Sequence, residues 1–571
     1  TYVLTYDTSK HSNTNIAGSG YKYSKDANYI IFRDIDLSKE GTNSNGEDDN
    51  WDPIDNYQGN MEGRKGMVEG KSITISHINI SQDNPVDQDK QAEYGIGFFR
   101  NLTTPYSTSL TISQNPITVK NITLSDVTVS TTTTKVKQNI SLIGSVLKLL
   151  LGNLSGLKPD PQSLATGGFA GVVKGNIQIE NCNVENLHGV SNANDRTGGF
   201  AGYVSGMTQY DLVSSGLGGL VTTLTKILNL IPLLGVGDLL TVLLNGGLLS
   251  VKDLIPVGYV NPSIQNCSVS GGTSVTGQKS TGGFAGEAIG AVMKNCSVGG
   301  TTTVSGNDCS GGFVGRSANA VVAGALSSLG IELMGNFPVN TVMLNCTIGG
   351  TVNVSAQESS VKESGYAGGF VGEMRNSYAV DCSISSLGAV SGKDYTGGFA
   401  GIATLGDVAD IDESQGLLVI VKDLLTGLLN GKFTNMDLLN LVGLRPSVIS
   451  GCTIAGDNIS ITANGKNAGG LVGYAGAVQI SNTSELTDDS KSTTKTLQRV
   501  LTKTGVTYEF ADRVNQINAA SSVKVSATEN AGGILGYAKM TSVGDVLGGT
   551  VTAADYMRFE CKDCSVNGGS L

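Results

Sequence analysis

Histidine occurs three times in 571 residues and tryptophan once. Charged residues make up 15% of the chain, against roughly a quarter in an ordinary soluble domain. Three scattered imidazoles, His11, His77 and His188, do not form a histidine-rich metal site or a nucleophile–His–acid relay. The charge that is present is acidic, with a net charge of −11 and a pI near 4.9. No basic patch interrupts it, so nucleic acid is excluded as an expected partner. Long apolar runs are missing too. Lys226, Asp238 and Lys252 break the most hydrophobic region before the roughly 18 residues of a membrane span, so no transmembrane segment is expected. The chain opens on TYVLTYD and closes just inside a KDCSV phrase, and it is expected to be a segment of a longer exported chain.

What is abundant is glycine, 78 residues of it, much of it in one hexapeptide. TGGFAG stands at 166–171, 197–202, 281–286 and 396–401, with SGGFVG at 310–315, AGGFVG at 367–372, AGGLVG at 468–473 and AGGILG at 531–536. A second phrase follows it, as in ENCNV (180–184), QNCSV (265–269), KNCSV (294–298), LNCTI (344–348) and VDCSI (380–384). Seven of the nine cysteines occupy this one position: Cys182, Cys267, Cys296, Cys346, Cys382, Cys452 and Cys564. The residue before each is Asn, Asp or Gly, the types that tolerate the left-handed αL conformation. A bend is expected there, with the cysteine turned inward as a small buried apolar residue. A third phrase alternates apolar and polar, as in TTTVSG (301–306) and TVNVSA (351–356), which is the pattern of a half-buried strand.

Three short strands in units of 29–31 residues, with one fixed inward residue on each face, predict a right-handed parallel β-helix. Phe169, Phe200, Phe284, Phe313, Phe370 and Phe399 should stack as one internal column, continued by Leu471 and Ile534, and the cysteines as another, reduced, column. Parallel Cβ vectors on adjacent rungs disfavour bridging.

GGFxG followed by an I-x-N-C-x-V strand is similar to the GLUG motif of bacterial surface proteins. The N-terminal stretch YIIFRDIDLS (29–38), NWDPI (50–54) and YQGNMEGRKGMVEGKSITISHINI (57–80) resembles that family's opening, although MEGRKGMVEGKSI is longer than its usual glycine-rich turn. YGIGFFRNL (94–102) then reads as the first GG-type rung. The resemblance spans most of the chain. It implies a β-helix exported to a bacterial cell surface, and it does not name a ligand.

The spacing from the last glycine of a hexapeptide to the next cysteine alternates. It is 11, 10 and 10 residues for Gly171–Cys182, Gly286–Cys296 and Gly372–Cys382, but 65, 31 and 51 for Gly202–Cys267, Gly315–Cys346 and Gly401–Cys452. The unit at Gly469 lacks the cysteine and reads as short, from Gly473 to Thr483. Every second rung thus carries an insert at one corner. The inserts, at about 208–260, 318–340 and 405–446, are Leu-rich with helical spacing. Another lies at 131–165 and leaves from a different corner. Two rungs rise about 9.6 Å and packed helices sit about 8–10 Å apart, so α-helical insertions are expected to stack on one flank. The competing reading exposes their Leu faces to lipid or a partner. A polar insert at about 484–522 reads as a solvated excursion or a partner-binding protrusion. The domain layout is therefore opening rungs at 1–130, the insert at 131–165, and rungs with inserts over 166–571.

Chemistry is sparse. The acid clusters sit in turns, at 46–55, 83–90 and 407–414. Asp48, Asp49, Asp52 and Asp55 could hold calcium, but they lack a matched partner and read as a solvated loop. Cys561-x-x-Cys564 has no second pair to complete a zinc site. Cys561 and Cys309 both lie off the cysteine pattern. Threonine tracts at 130–134 and 299–304 raise ice binding, but the repeats keep no threonine at one outward position. His77, in SHINI, is read opposite the asparagine of KNITL, in a turn role. No catalytic, metal or cofactor-binding residue is expected. The expected function is a non-catalytic, extracellular adhesin-like segment that binds a host or neighbouring-cell glycoprotein. The alternatives are a carbohydrate-active lyase or hydrolase and a purely structural stalk.

Overall fold

The computed structural model describes residues 26–38, 50–82, 86–87, 94–105, 115–131, 136–137, 164–192, 196–212, 254–322, 337–357, 364–375, 377–404, 447–476, 508–510, 515–539, 559–561 and 564–570. Within them the chain is a parallel β-helix of four long sheets, three of nine strands and one of thirteen. A rung without an insert shows the path. It runs Ser280–Gly282 in sheet 1, Ala285–Ile289 in sheet 2, Val292–Lys294 in sheet 3, and Ser297–Val298 with Thr302–Gly306 in sheet 4. The next rung opens with Cys309–Gly311, in parallel register, Gly282 opposite Gly311. Met293 lies opposite Met343 and Val298 opposite Ile348, so like residues fall over like.

The rung occupies four sheets where three strands were read. Gly283 and Phe284 make the bend between sheets 1 and 2, which fold back against each other. Glycine is required there by contact distance. A Cβ on Gly282 would lie 2.0 Å from the Ala285 carbonyl oxygen, and one on Gly283 would lie 2.1 Å from that of Gly312. At the last glycine of the hexapeptide, Gly286, it would lie 2.5 Å from the Thr197 nitrogen.

Phe169, Phe200, Phe284, Phe313, Phe370 and Phe399 are fully buried. Their rings stack at 4.7–4.9 Å between centroids with planes within 12°. Leu471 and Ile534 extend the column. At the N-terminal end Phe98 and Phe99 pack on Phe169, and Trp51 stacks on Phe98 at 4.3 Å while its Nε1 donates to the Phe98 carbonyl at 3.1 Å.

The bend before each cysteine is left-handed as read: Asn181, Asn266, Asn295, Asn345 and Asp381 have φ of 51–53°, and Gly451 has 65°. The amides form an outward ladder, Asn295 donating to Asn266 at 3.0 Å and Asn345 to Asn295 at 2.9 Å. His77 does not belong to this column. Ser76 and Ile78 pair with Ser125 and Val127, which sets His77 beside Asp126 and Asn186 in a second αL column, at the bulge of sheet 4.

The six ladder cysteines from Cys182 to Cys452 are buried and reduced. Each thiol turns back onto carbonyls, as Cys296 does onto Ile264 at 3.3 Å and Lys294 at 3.4 Å.

The middles of the expected helical inserts at about 208–260 and 318–340, most of 131–165 and all of 405–446 lie outside the described residues. Where described, two of them leave on strands. Met207–Leu212 pairs antiparallel with Leu254–Val260, and Ala320–Val322 with Phe337–Val339. The stems rise from the corner between sheets 2 and 3 on alternate rungs, and Leu254–Val260 lies against Ala320–Val322.

The alternation stops further on. The segment after Gly473 does not return to sheet 4 near Thr483. Instead Asn515–Ala527 is the sheet 4 strand, with Gln516 opposite Thr453, so 515–522 belong to the solenoid and not to a polar insert. Asn515 lies opposite Cys564 and interrupts the thiol column.

Two predictions follow from the columns. Phe284→Ala should cost about 3–5 kcal/mol and Phe284→Leu roughly half that, measured by equilibrium denaturation with circular dichroism. A loss below about 1 kcal/mol for the alanine variant would mean that the column is not tightly packed. Burial pushes the Cys182 thiol up to about 12 and raises Cys346 and Cys382 as well. The fold therefore keeps protons that the unfolded chain gives up. That stability is complete below pH 9 and drains away as pH rises through about 12. In a variant lacking Cys561 and Cys564, thiolate ultraviolet absorbance should appear only together with unfolding, and its appearance in folded protein would contradict the burial of the remaining thiols.

Candidate functional site

Sheets 1 and 2 meet outside the main core along a seam, and the polar chemistry of the described residues concentrates there. In sheet 2 the register stacks Tyr203, Glu287, Arg316, Glu373, Ile402, Tyr474 and Tyr537. In sheet 1 it stacks Arg196, Ser280, Cys309, Tyr366 and Tyr395.

The first half of the seam is an ion chain. Both oxygens of Glu287 are engaged, one by Arg196 and the other by Arg316 at 3.1 Å. Arg316 reaches on to Glu373 at 3.5 Å, and Arg375 bonds the other Glu373 oxygen at 2.5 Å. The carboxylate side chains are 3% and 5% exposed. Each carboxylate is thus shared between two arginines with almost no access to solvent. The Arg196 guanidinium also lies 4.1 Å from the Tyr203 ring centroid, in cation–π range.

The second half is aromatic. Tyr366, Tyr395, Tyr474 and Tyr537 stack at 5.5, 4.7 and 5.9 Å between centroids. The first three are buried, and Tyr537 is 41% exposed. Lys466 lies 5.3 Å from the Tyr395 ring centroid and 3.8 Å from Asp394. Cys309, unplaced by the sequence pattern, sits in this seam against Ser280 at 3.3 Å, and burial holds its thiol above the ordinary range.

The residues singled out for chemistry are not brought together. His11, Asp48 and Asp49 lie outside the described residues. Asp55 accepts a hydrogen bond from Asn101 at 3.3 Å, His77 pairs with Asp36 at 2.8 Å, and His188 is exposed on sheet 4. Among the described residues no group of three or more His, Cys, Asp or Glu converges. Glu62 is paired as well, held below its ordinary value by the Arg64 guanidinium at 2.8 Å and by the Lys120 charge, against partial burial. The seam escaped the sequence reading because its two columns, the residue just before and the residue just after each hexapeptide, hold unlike residue types and so show no repeat. Arg196 and Glu287 are 91 residues apart.

Glu287→Gln removes the charge between two guanidiniums. It should cost about 3 kcal/mol, read as a fall in Cm at unchanged m. An unchanged Cm would mean that Arg196 and Arg316 are adequately solvated without Glu287.

No family model matches the chain, and no curated protein matches it. Among solved structures, one of a candidate immunoglobulin A1 protease from Bacteroides ovatus is similar over 63% of this chain and 71% of its own, at 15% identity and a TM-score of 0.27. That likeness is too slight to carry an activity across.

Proposed function

We propose that this chain is a non-catalytic display scaffold of a bacterial surface protein. On this reading the chain is of the GLUG-motif kind, and it holds recognition elements against a host or neighbouring-cell glycoprotein outside the cell. The observation that carries the reading is the corner between sheets 2 and 3. Antiparallel stems leave it on alternate rungs and lie against each other, while the solenoid between them commits its buried charges to one another. A closed, internally paired rod with excursions mounted along one edge suits presentation. The motif resemblance adds the bacterial surface.

The test is binding to glycan and glycoprotein arrays by the full chain and by a variant with 213–253 and 405–446 replaced by short Gly-Ser links. Loss of a binding signal in a variant that stays β-rich would support the reading. Activity of the full chain on a polysaccharide, with no array ligand, would overturn it.

A further inference from the structure

We propose that Cys561 and Cys564 form a dithiol–disulfide couple at the last described corner of the solenoid, reacting with glutathione-type disulfides while the other seven cysteines stay inert. The inference does not depend on the binding reading above.

The argument begins with position. Cys564 occupies the ladder position, opposite Asn515. Cys561 stands three residues earlier, in the strand Phe559–Cys561 and opposite Phe510. On the other rungs that earlier position is held by inward residues, Ile264, Met293, Met343, Ala379 and Ile449, all buried. Ladder cysteines on successive rungs project in parallel, which disfavours a bond. Cys561 ends one strand and Cys564 opens the next, three positions on. Here both are thiols, and they hydrogen-bond each other.

Access separates this pair from the rest. Cys561 is exposed and Cys564 half-buried, whereas the other seven cysteines are buried. A thiol reacts as the thiolate and only where an oxidant can reach it.

The exchange balances without any group beyond the named oxidant. The Cys561 thiolate attacks one sulfur of glutathione disulfide, the S–S bond breaks, and one glutathione thiolate leaves. The Cys564 thiolate then attacks the Cys561 sulfur, closes the intramolecular S–S bond and expels the second glutathione. The two protein thiol protons end on the two glutathione thiolates, so two cysteines are oxidised and one disulfide is reduced. The hydrogen bond to Cys564, with partial burial behind it, holds the Cys561 thiol above its ordinary range. The first step should therefore quicken as pH rises.

The test equilibrates the full chain in glutathione buffers of graded ratio, quenches with acid, alkylates, and maps the peptides by mass. The expected result is one disulfide, Cys561 to Cys564, with the other seven cysteines alkylated only after denaturation. Cys561→Ser should abolish the bridge, and Cys564→Ser should trap glutathione on Cys561. Both variants should keep the wild-type circular dichroism spectrum and the protection of the ladder thiols, which shows that they fold. The proposal is overturned if both thiols stay alkylatable in fully oxidised buffer, or if the bridge formed uses Cys309 or one of the six buried ladder cysteines from Cys182 to Cys452.

Discussion

At the last glycine of the repeated hexapeptide the backbones of two sheets touch. Sheets 1 and 2 fold outward-face to outward-face, and the position occupied by Gly286 has a neighbouring amide nitrogen where a methyl would go. That contact sets how sharply GGF must bend, and the bend aims each phenylalanine into the interior. The spacing between rungs then does the rest. Parallel strands repeat at about 4.8 Å, which is close to the stacking distance of aromatic rings, so one phenylalanine per rung fills one column without gaps. A side chain that is correct on one rung is correct on the next, and this local requirement repeats the hexapeptide.

The same translation organises the polar groups. An asparagine in αL conformation turns the chain and then hydrogen-bonds the asparagine above it. Along the seam the translation places Glu287 between two arginines and tyrosines over tyrosines. The ladders are sideways interactions between rungs, and each rung depends on its neighbours for them.

The parallel β-helix, the phenylalanine column, the thiol column and the left-handed residue before each cysteine could all be read in the chain, because each repeats at a fixed offset inside one unit. What depends on register between units could not. The split of GGF between two sheets leaves no mark in hydropathy, since both strands are short and buried. Glu287, Arg316 and Glu373 follow their hexapeptides directly and Arg196 precedes its own, so the offset was fixed, but unlike residue types share it and leave no visible repeat. His77 was set one αL column away from its place because early rungs carry a second left-handed residue after the first, Asp126 after Asn121 and Asn186 after Asn181, and the motif alone does not distinguish them. The return to sheet 4, read near Thr483, comes at Asn515, some thirty residues later.

Trp51, the single tryptophan, lies flat on Phe98 at one extremity of the aromatic column. A rod built of nearest-neighbour contacts can fray at one end while the rest stands. Its intrinsic fluorescence therefore reports the N-terminal rungs alone, whereas circular dichroism averages over all of them. If the two signals separate on heating, the molecule comes apart as a stack and not as a globule.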